Sequence, residues 1–392
     1  MKIGLISPYD LSYPGGVSLH VSRLAHEFLK KGHSVRIIAP CSSPPADALK
    51  DLVIPQGYPI PVPSAGSIAR ISLSLRLSKP IRALMEREKF DVVHIHEPLT
   101  PTLPLTALRV SPAITVGTFH ACHSKPRGYG IGKPILSHWF KRLHGKIAVS
   151  EAARKFVSRH FPGDYRVIPN GVDNTHFSPV GPYIDYMKDG KINLLFVGRL
   201  EKRKGLKTLL KAFQLLKKEY PETRLIVVGP GERAINKYQN MAQKENIPDV
   251  IFTGYIPSQE LPQYYRSADI FCAPATGEES FGMVLLEAMS CGKPVVASNI
   301  EGYAGVLSDG LEGFLVPPKN IESLKDAMSR LTGDRKLREE MGERGRIKAQ
   351  GYSWENVAGK ILKYYGELRY PDTYLYGKEL TFQPPVTAFP VE

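Results

Sequence analysis

Two kinds of stretch alternate along this chain. Short, almost unbroken apolar runs recur at KIGLIS (2–7), SVRIIAP (34–40), DVVHIH (91–96), ITVGTFH (114–120), KIAVS (146–150) and RVIPNG (166–171). The second half repeats them at INLLFVG (192–198), RLIVVG (224–229), VIFTG (250–254), IFCAP (270–274), PVVAS (294–298) and GFLVPP (313–318). Continuous rather than alternating apolar character belongs to strands buried on both faces of a parallel sheet. The stretches between them have helical periodicity. In 17–31, Val17, Val21, Leu24, Ala25, Phe28 and Leu29 fall on one face, and Gly32 stands where a helix stop is expected. The pattern predicts an α/β fold of doubly wound sheets, with ligands at the carboxyl ends of the strands.

The rhythm breaks at SPVGPYIDYMKDGK (178–191), which is rich in Pro, Gly and charge and reads as an interdomain linker. A chain of 392 residues suits two such domains. We place the first at 1–180 and the second at 186–352. The last helix, roughly 353–369, is expected to return to the first domain, which takes the tail to 392 with it. From Tyr370 onward that tail mixes Pro with aromatics and reads as an extended surface strap.

Composition narrows the class. No apolar run reaches the roughly 18 residues of a membrane span, and the opening MKIGLISPYD reads as a buried strand rather than a signal peptide. Cys41, Cys122, Cys272 and Cys291 are scattered without a CxxC pair, which points to a reduced, cytoplasmic protein. Charge adds a direction. Residues 1–180 hold 23 basic against 11 acidic residues, whereas the remainder holds 29 against 27. A basic half beside a near-neutral one implies an anionic partner for the first domain, nucleic acid or lipid. Within it, SIARISLSLRLSKPIRALMEREK (67–89) interleaves basic residues with leucines, which suits an anionic membrane surface; an ordinary helix packed on the sheet, with its basic residues solvated, reads the same. Pro80 is expected to divide this stretch, and the alternation of Leu73, Leu75 and Leu77 to make it extended.

Four motifs carry chemistry. In GEESFGMVLLEAMSCGKPVVAS (277–298), Glu279 and Glu287 flank Ser280-Phe281-Gly282. If a loop turns into a helix near Gly282, one carboxylate lies in the loop, the other two turns on, and free N–H groups lie between them. That suits a nucleotide sugar, with hydroxyls on Glu279, diphosphate on the helix start and ribose on Glu287; alone, a capped amphipathic helix reads the same. In VGRLEKRKGLKTLLKAF (197–213), Arg199 and Lys204 offer a fork and a point charge to a diphosphate, with Lys202 and Arg203 expected on the surface. In PYDLSYPGGVSLH (8–20), Gly15-Gly16 would let backbone N–H groups approach a phosphate or a reacting sugar; alone, a tight strand-to-helix turn reads the same. In TFH (118–120), His120 ends a strand at the ligand edge, while His94 and His96 read as core or supporting residues. No metal site is expected: H-x-H alone is weak and no D-x-D is present.

In this order, G-G-V, H-x-H-E-P, T-F-H, P-N-G-V-D (169–173), G-R-L…K-G and E-S-F-G-x-x-x-x-E resemble the retaining GT-B glycosyltransferases, the large family that includes sucrose synthases and phosphatidylinositol mannosyltransferases. The resemblance spans roughly 1–365. YPGGVSLH, PVPSAGSIAR, HIHEP and GEESFG are most similar to the mannosyltransferase branch. It implies two Rossmann-like domains facing across a cleft and a metal-independent front-face substitution without a cofactor. The donor would be a nucleotide diphosphate sugar, GDP-mannose before UDP-sugars, and the acceptor a phospholipid such as phosphatidyl-myo-inositol at the inner face of the cell membrane. It further implies donor contacts from Gly16, Arg199, Lys204, Glu279, Phe281, Gly282, Met283 and Glu287, catalytic roles for His120, Arg199, Lys204 and Glu279, and acceptor contacts from Tyr9, Ser18 and Arg70. Ser18 and Leu99 depart from the pattern, standing where Gln and Asn are expected against inositol. A nucleotide-sugar epimerase shares the fold, but the E-x7-E with SFG and the Gly15-Gly16 loop favour transfer. A nucleic-acid partner is disfavoured by the lack of any stacking motif or known module.

Overall fold

The computed structural model describes residues 1–371 apart from Pro14, Ala46, 65–66 and 123–128. The expected strap at 372–392 lies outside the described residues. In the first half run β1 (Lys2–Ile6), β2 (Ser34–Ala39), β3 (Val53–Pro55), β4 (Pro59–Ser64), β5 (Ser67–Ser72), β6 (Val92–His96), β7 (Ile114–Phe119), β8 (Gly145–Ala148) and β9 (Arg166–Val167). In the second run β10 (Ile192–Val197), β11 (Thr223–Val228), β12 (Val250–Gly254), β13 (Ile270–Ala273), β14 (Val295–Ser298) and β15 (Gly313–Val316).

One parallel sheet has the order β3-β2-β1-β6-β7-β8-β9 and the other β12-β11-β10-β13-β14-β15. Each grows in two directions from a central pair, so its ligand crevice opens where the order reverses, between β1 and β6 and between β10 and β13. This is the doubly wound α/β architecture expected, and all twelve apolar runs are strands. Helices bury both faces of each sheet. On one face of the first sheet, Val21, Leu24 and Phe28 of the Gly16–Lys30 helix pack with Ile3, Leu5 and Val116. The helix Trp354–Arg369 joins that same core through Trp354, Val357, Ile361 and Tyr365. Gly32 follows the first helix with φ 78°, the left-handed stop its position predicts.

Two elements were not expected. β4 and β5 form a separate antiparallel hairpin. Pro59, Pro61 and Pro63 occupy every second position of β4, so their missing N–H groups all fall on the side away from β5, where the ladder needs none. The 67–89 stretch is β5, a 3-10 turn (Leu75–Leu77) and a helix from Ser78 to Glu88. Pro80 does not divide it: it sits in the first turn of that helix, where its N–H would be unpaired anyway.

Candidate active site

β10 ends at Val197, and the loop that follows from Gly198 ends in a 3-10 turn, Lys202–Lys204, before the Leu206–Glu219 helix. This loop is docked against the one after β13. Gly205, at φ 77°, lies so close to it that a Cβ would be 1.8 Å from the Pro274 carbonyl oxygen, and the Arg203 carbonyl accepts from the Thr276 N–H at 2.7 Å. The docking sets Lys204 Nζ 2.7 Å from Glu279 Oε1, and Arg203 Nη1 binds the same oxygen. Glu201 accepts from Arg203 Nε at 2.8 Å and pairs with Arg199 Nη1 at 3.0 Å. Arg203 is therefore not the solvated residue expected. Its side chain is only 21% exposed, held between two carboxylates. Lys202 is exposed, as expected.

The chain turns at Gly282 (φ 113°) into a short helix, Met283–Ser290. Glu279 thus lies in the loop and Glu287 in the helix, with the free N–H groups between them. Tyr265 donates to Glu287 Oε2 at 2.7 Å. Burial pushes the Glu287 carboxyl above its usual range, opposed by that bond and by Lys204. Phe281 departs from its expected role: its ring is buried in the second domain's core, tilted against Tyr352, which leaves only its backbone for a ligand.

Across the cleft, Gly16 opens the first helix opposite Met283. Neither Gly15 nor Gly16 has a positive φ, and a Cβ on either would meet no described atom closer than 3.9 Å. Neither backbone strain nor protein crowding requires glycine here, so the open space belongs to the cleft. At the end of β1, Tyr9 bridges Ile71 of β5 and the Asp10 N–H donates to the Arg70 carbonyl at 2.9 Å. The Arg70 guanidinium lies over the Tyr13 ring at 4.4 Å, and Ser18 Oγ donates to the Asp10 carbonyl at 3.3 Å. The three expected acceptor residues are thereby brought together. Leu99 is buried in the first domain's core.

Four imidazoles meet behind this wall. β6 contributes His94 and His96, β7 ends beside His120, and the first helix adds His20. His94 is bound on both nitrogens, to Tyr365 and Thr118 at 2.5 Å each. His96 Nδ1 and His120 Nε2 share a hydrogen bond of 3.0 Å, and His20 Nδ1 meets Asn170 Oδ1 at 2.8 Å. Burial pulls His20 down to about 4 and His94 to about 3, and holds His96 and His120 well below the usual histidine value. Beside them Glu97, buried with φ 49°, accepts from the backbone N–H of His120 at 2.6 Å and of Ala121 at 2.8 Å. Burial pushes its carboxyl up to about 7 against those two bonds.

The two walls also touch directly. Ser150 Oγ donates to the Ser280 carbonyl, and Lys155 pairs with Glu301 at 2.6 Å. Sequence reasoning missed His20, Glu97, Arg203 and Tyr265. Glu97 lay inside the H-x-H-E-P motif and was legible there; the other three take part only through the tertiary approach of distant segments.

Comparison with known proteins gives this geometry a context. Residues 14–176 match the family described as Glycosyltransferase Family 4, and 186–348 match Glycosyl transferases group 1. A phosphatidyl-myo-inositol mannosyltransferase of Mycobacterium leprae is 37% identical over 366 residues, 93% of this chain and 96% of that one. Among solved structures, sucrose-phosphate synthase from Thermosynechococcus elongatus superposes with a TM-score of 0.72 at 21% identity, covering 94% of this chain and 98% of its own. HepE from Anabaena, in complex with UDP-glucose, gives 0.73 at 20%, covering 94% and 100%.

Proposed function

Because the chain belongs to the group 1 and family 4 glycosyltransferases of GT-B fold and is a hexosyltransferase, we propose that it moves mannose from GDP-mannose onto a phosphatidyl-myo-inositol-type lipid with retention of configuration. The observation that carries the donor half is the Glu279–Lys204 pair at the start of the Met283 helix, facing Gly16. A diphosphate between the two helix starts meets free N–H groups, Lys204 and Arg199. Glu279 and His120 reach the sugar hydroxyls, and Glu287 the ribose. Mannose and inositol lipid rest on the name of the relative that is 37% identical along almost the whole chain.

The chemistry is substitution on the face the diphosphate leaves. Glu279 is neutralised by Lys204 and Arg203, and Glu287 is held by Tyr265, so neither is poised as a free nucleophile. The leaving diphosphate instead stays beside the anomeric carbon and takes the acceptor's proton. Lys204, Arg199 and the Met283 helix start stabilise the charge that grows on it, which makes a divalent metal unnecessary. Tyr9, Ser18 and Arg70 would hold the acceptor, which the protein meets as a peripheral protein on the inner membrane face. The test is a panel of GDP-mannose, GDP-glucose, UDP-glucose and UDP-N-acetylglucosamine with vesicles containing phosphatidylinositol. Free GDP and a mannosylated lipid are expected; turnover of a UDP-sugar in their place would overturn the donor assignment.

A further inference from the structure

The histidine cluster contains something the reaction does not use. Among the described residues, His20 Nε2 and His96 Nε2 are buried without a hydrogen-bond partner, a costly state for a buried polar atom. One ring nitrogen from each of His20, His96 and His120 lies within 4.8 Å of the others. We propose that these three histidines form a binding site for a late transition-metal cation such as Zn²⁺, and that occupancy there restrains transfer by withdrawing His120 from the sugar.

The donor set argues for that chemistry. Three neutral imidazoles with no carboxylate favour zinc and its neighbours over Mg²⁺ or Ca²⁺, which take oxygen ligands. The outer partners are in place. When His20 Nδ1–H donates to Asn170 Oδ1, Nε2 is left as a bare lone pair, the form a metal takes. His94 stacks on His96 with centroids 4.5 Å apart and is itself fixed by Tyr365 and Thr118, so it supports the ligands without being one. Glu97 Oε1 accepts from two backbone N–H groups, and the carboxylate is not among the atoms that converge. Zn–N bonds of about 2.0–2.1 Å set tetrahedral ligand nitrogens about 3.3 Å apart. One nitrogen from each ring lies within 4.8 Å of the others, and ring rotations close them to that spacing. His120 is the least buried of the three, so the fourth position opens toward the cleft.

The metal site stands on its own geometry; the restraint of transfer rests on the function proposed above. The experiment separates them. Chelator-stripped full-length protein is dialysed against Zn²⁺, with Mg²⁺ and Ca²⁺ in parallel, and bound metal is counted by mass spectrometry. Co²⁺ in place of Zn²⁺ reads the coordination through its tetrahedral absorption. One equivalent of zinc, little of the others, and a loss of at least about tenfold in affinity in both His20→Gln and His96→Gln are expected. Circular dichroism confirms that each variant is folded, and the wild-type Co²⁺ spectrum stands independently of them. Saturating Zn²⁺ should inhibit transfer, with recovery on adding chelator. No stoichiometric zinc, or full binding retained by both folded variants, overturns the site. Binding with undiminished transfer overturns the restraint. A protein inactive with every donor overturns the proposed function and leaves the metal count to decide the site.

Discussion

Gly16 illustrates how a single residue separates folding from function. Its φ is negative and no described atom crowds it, so Gly16→Ala should melt within a degree or two of wild type. The methyl would instead fill the space where a diphosphate nears the first helix, and the donor KM should rise about tenfold or more, the scale of one lost charge-assisted contact. Gly205 is the contrast. At φ 77°, with the Pro274 oxygen 1.8 Å from a Cβ, Gly205→Ala should lower soluble yield and melting temperature before activity is considered. Equal behaviour of the two variants in melting scans and donor titrations would remove the distinction. Glu279→Gln and Lys204→Ala should each leave the fold intact and cut kcat about 100- to 1,000-fold, the cost of one oxyanion-type contact; near-normal turnover in either would reject the site. Glu279 and Glu287 were legible because ESFG and its spacing mark the loop and the helix start, and Lys204 because G-R-L…K-G sets it in a loop between a strand and a helix. Arg203 was not, because nothing local distinguishes it from Lys202 beside it. The difference comes from Gly205, which lets two loops far apart in the chain touch and carries Arg203 onto Glu279.

At the scale of elements, apolar periodicity found the buried strands and missed the hairpin β4–β5, whose prolines hide a strand that pairs on one side only. That hairpin changes the membrane argument. Leu77, Ile81 and Leu84 turn inward to the core, so the helix from Ser78 to Glu88 offers lipid no apolar face. It presents Arg76 just before it and Lys79, Arg82 and Arg87 along it, all exposed. An apolar contact would come from Tyr58, Ile60, Ile68 and Leu73 on and beside the hairpin, likewise exposed. Contact would therefore be a basic helix next to a small apolar hairpin, shallow and reversible. A basic side chain near an anionic surface contributes about 1 kcal/mol, screened by salt. Replacing Arg76, Lys79 and Arg82 with Ser should weaken co-sedimentation with anionic vesicles about a hundredfold at low salt, without a change in stability because all three side chains are solvated. Equal recovery on neutral and anionic vesicles, or unchanged binding by the triple variant, would reject this surface.

The whole molecule is asymmetric in charge and in histidine, and only the first asymmetry explains itself from sequence. All 11 histidines precede residue 177, but that four of them share one buried cluster follows from the parallel pairing of β1, β6 and β7 and from the first helix laid across them. A group whose folded pKa is depressed contributes stability that is lost as pH falls below its unfolded value. The unfolded value for histidine is about 6.5, so at pH 5 His20 and His94, held at about 4 and 3, should each have forfeited about 2 kcal/mol. His96 and His120 shift in the same direction. Glu97 opposes them: its folded pKa of about 7 lies above its unfolded value, so it regains stability as pH falls through 7, returning about 2 kcal/mol by pH 5. The histidines outweigh it. The second domain contains no histidine, and its buried Glu287 is shifted upward, so acid in this range should spare it. Metal-free protein, kept in chelator, should therefore melt as one broad transition near pH 7.5 and resolve into two at pH 5, with the first-domain step moved down. The Trp354–Arg369 helix should be lost in that earlier step, since Tyr365 binds His94 and Trp354 lies against His20. Calorimetry with Trp354 fluorescence checks this: a lower step that moves up on acidification, or Trp354 reporting the upper one, would contradict it.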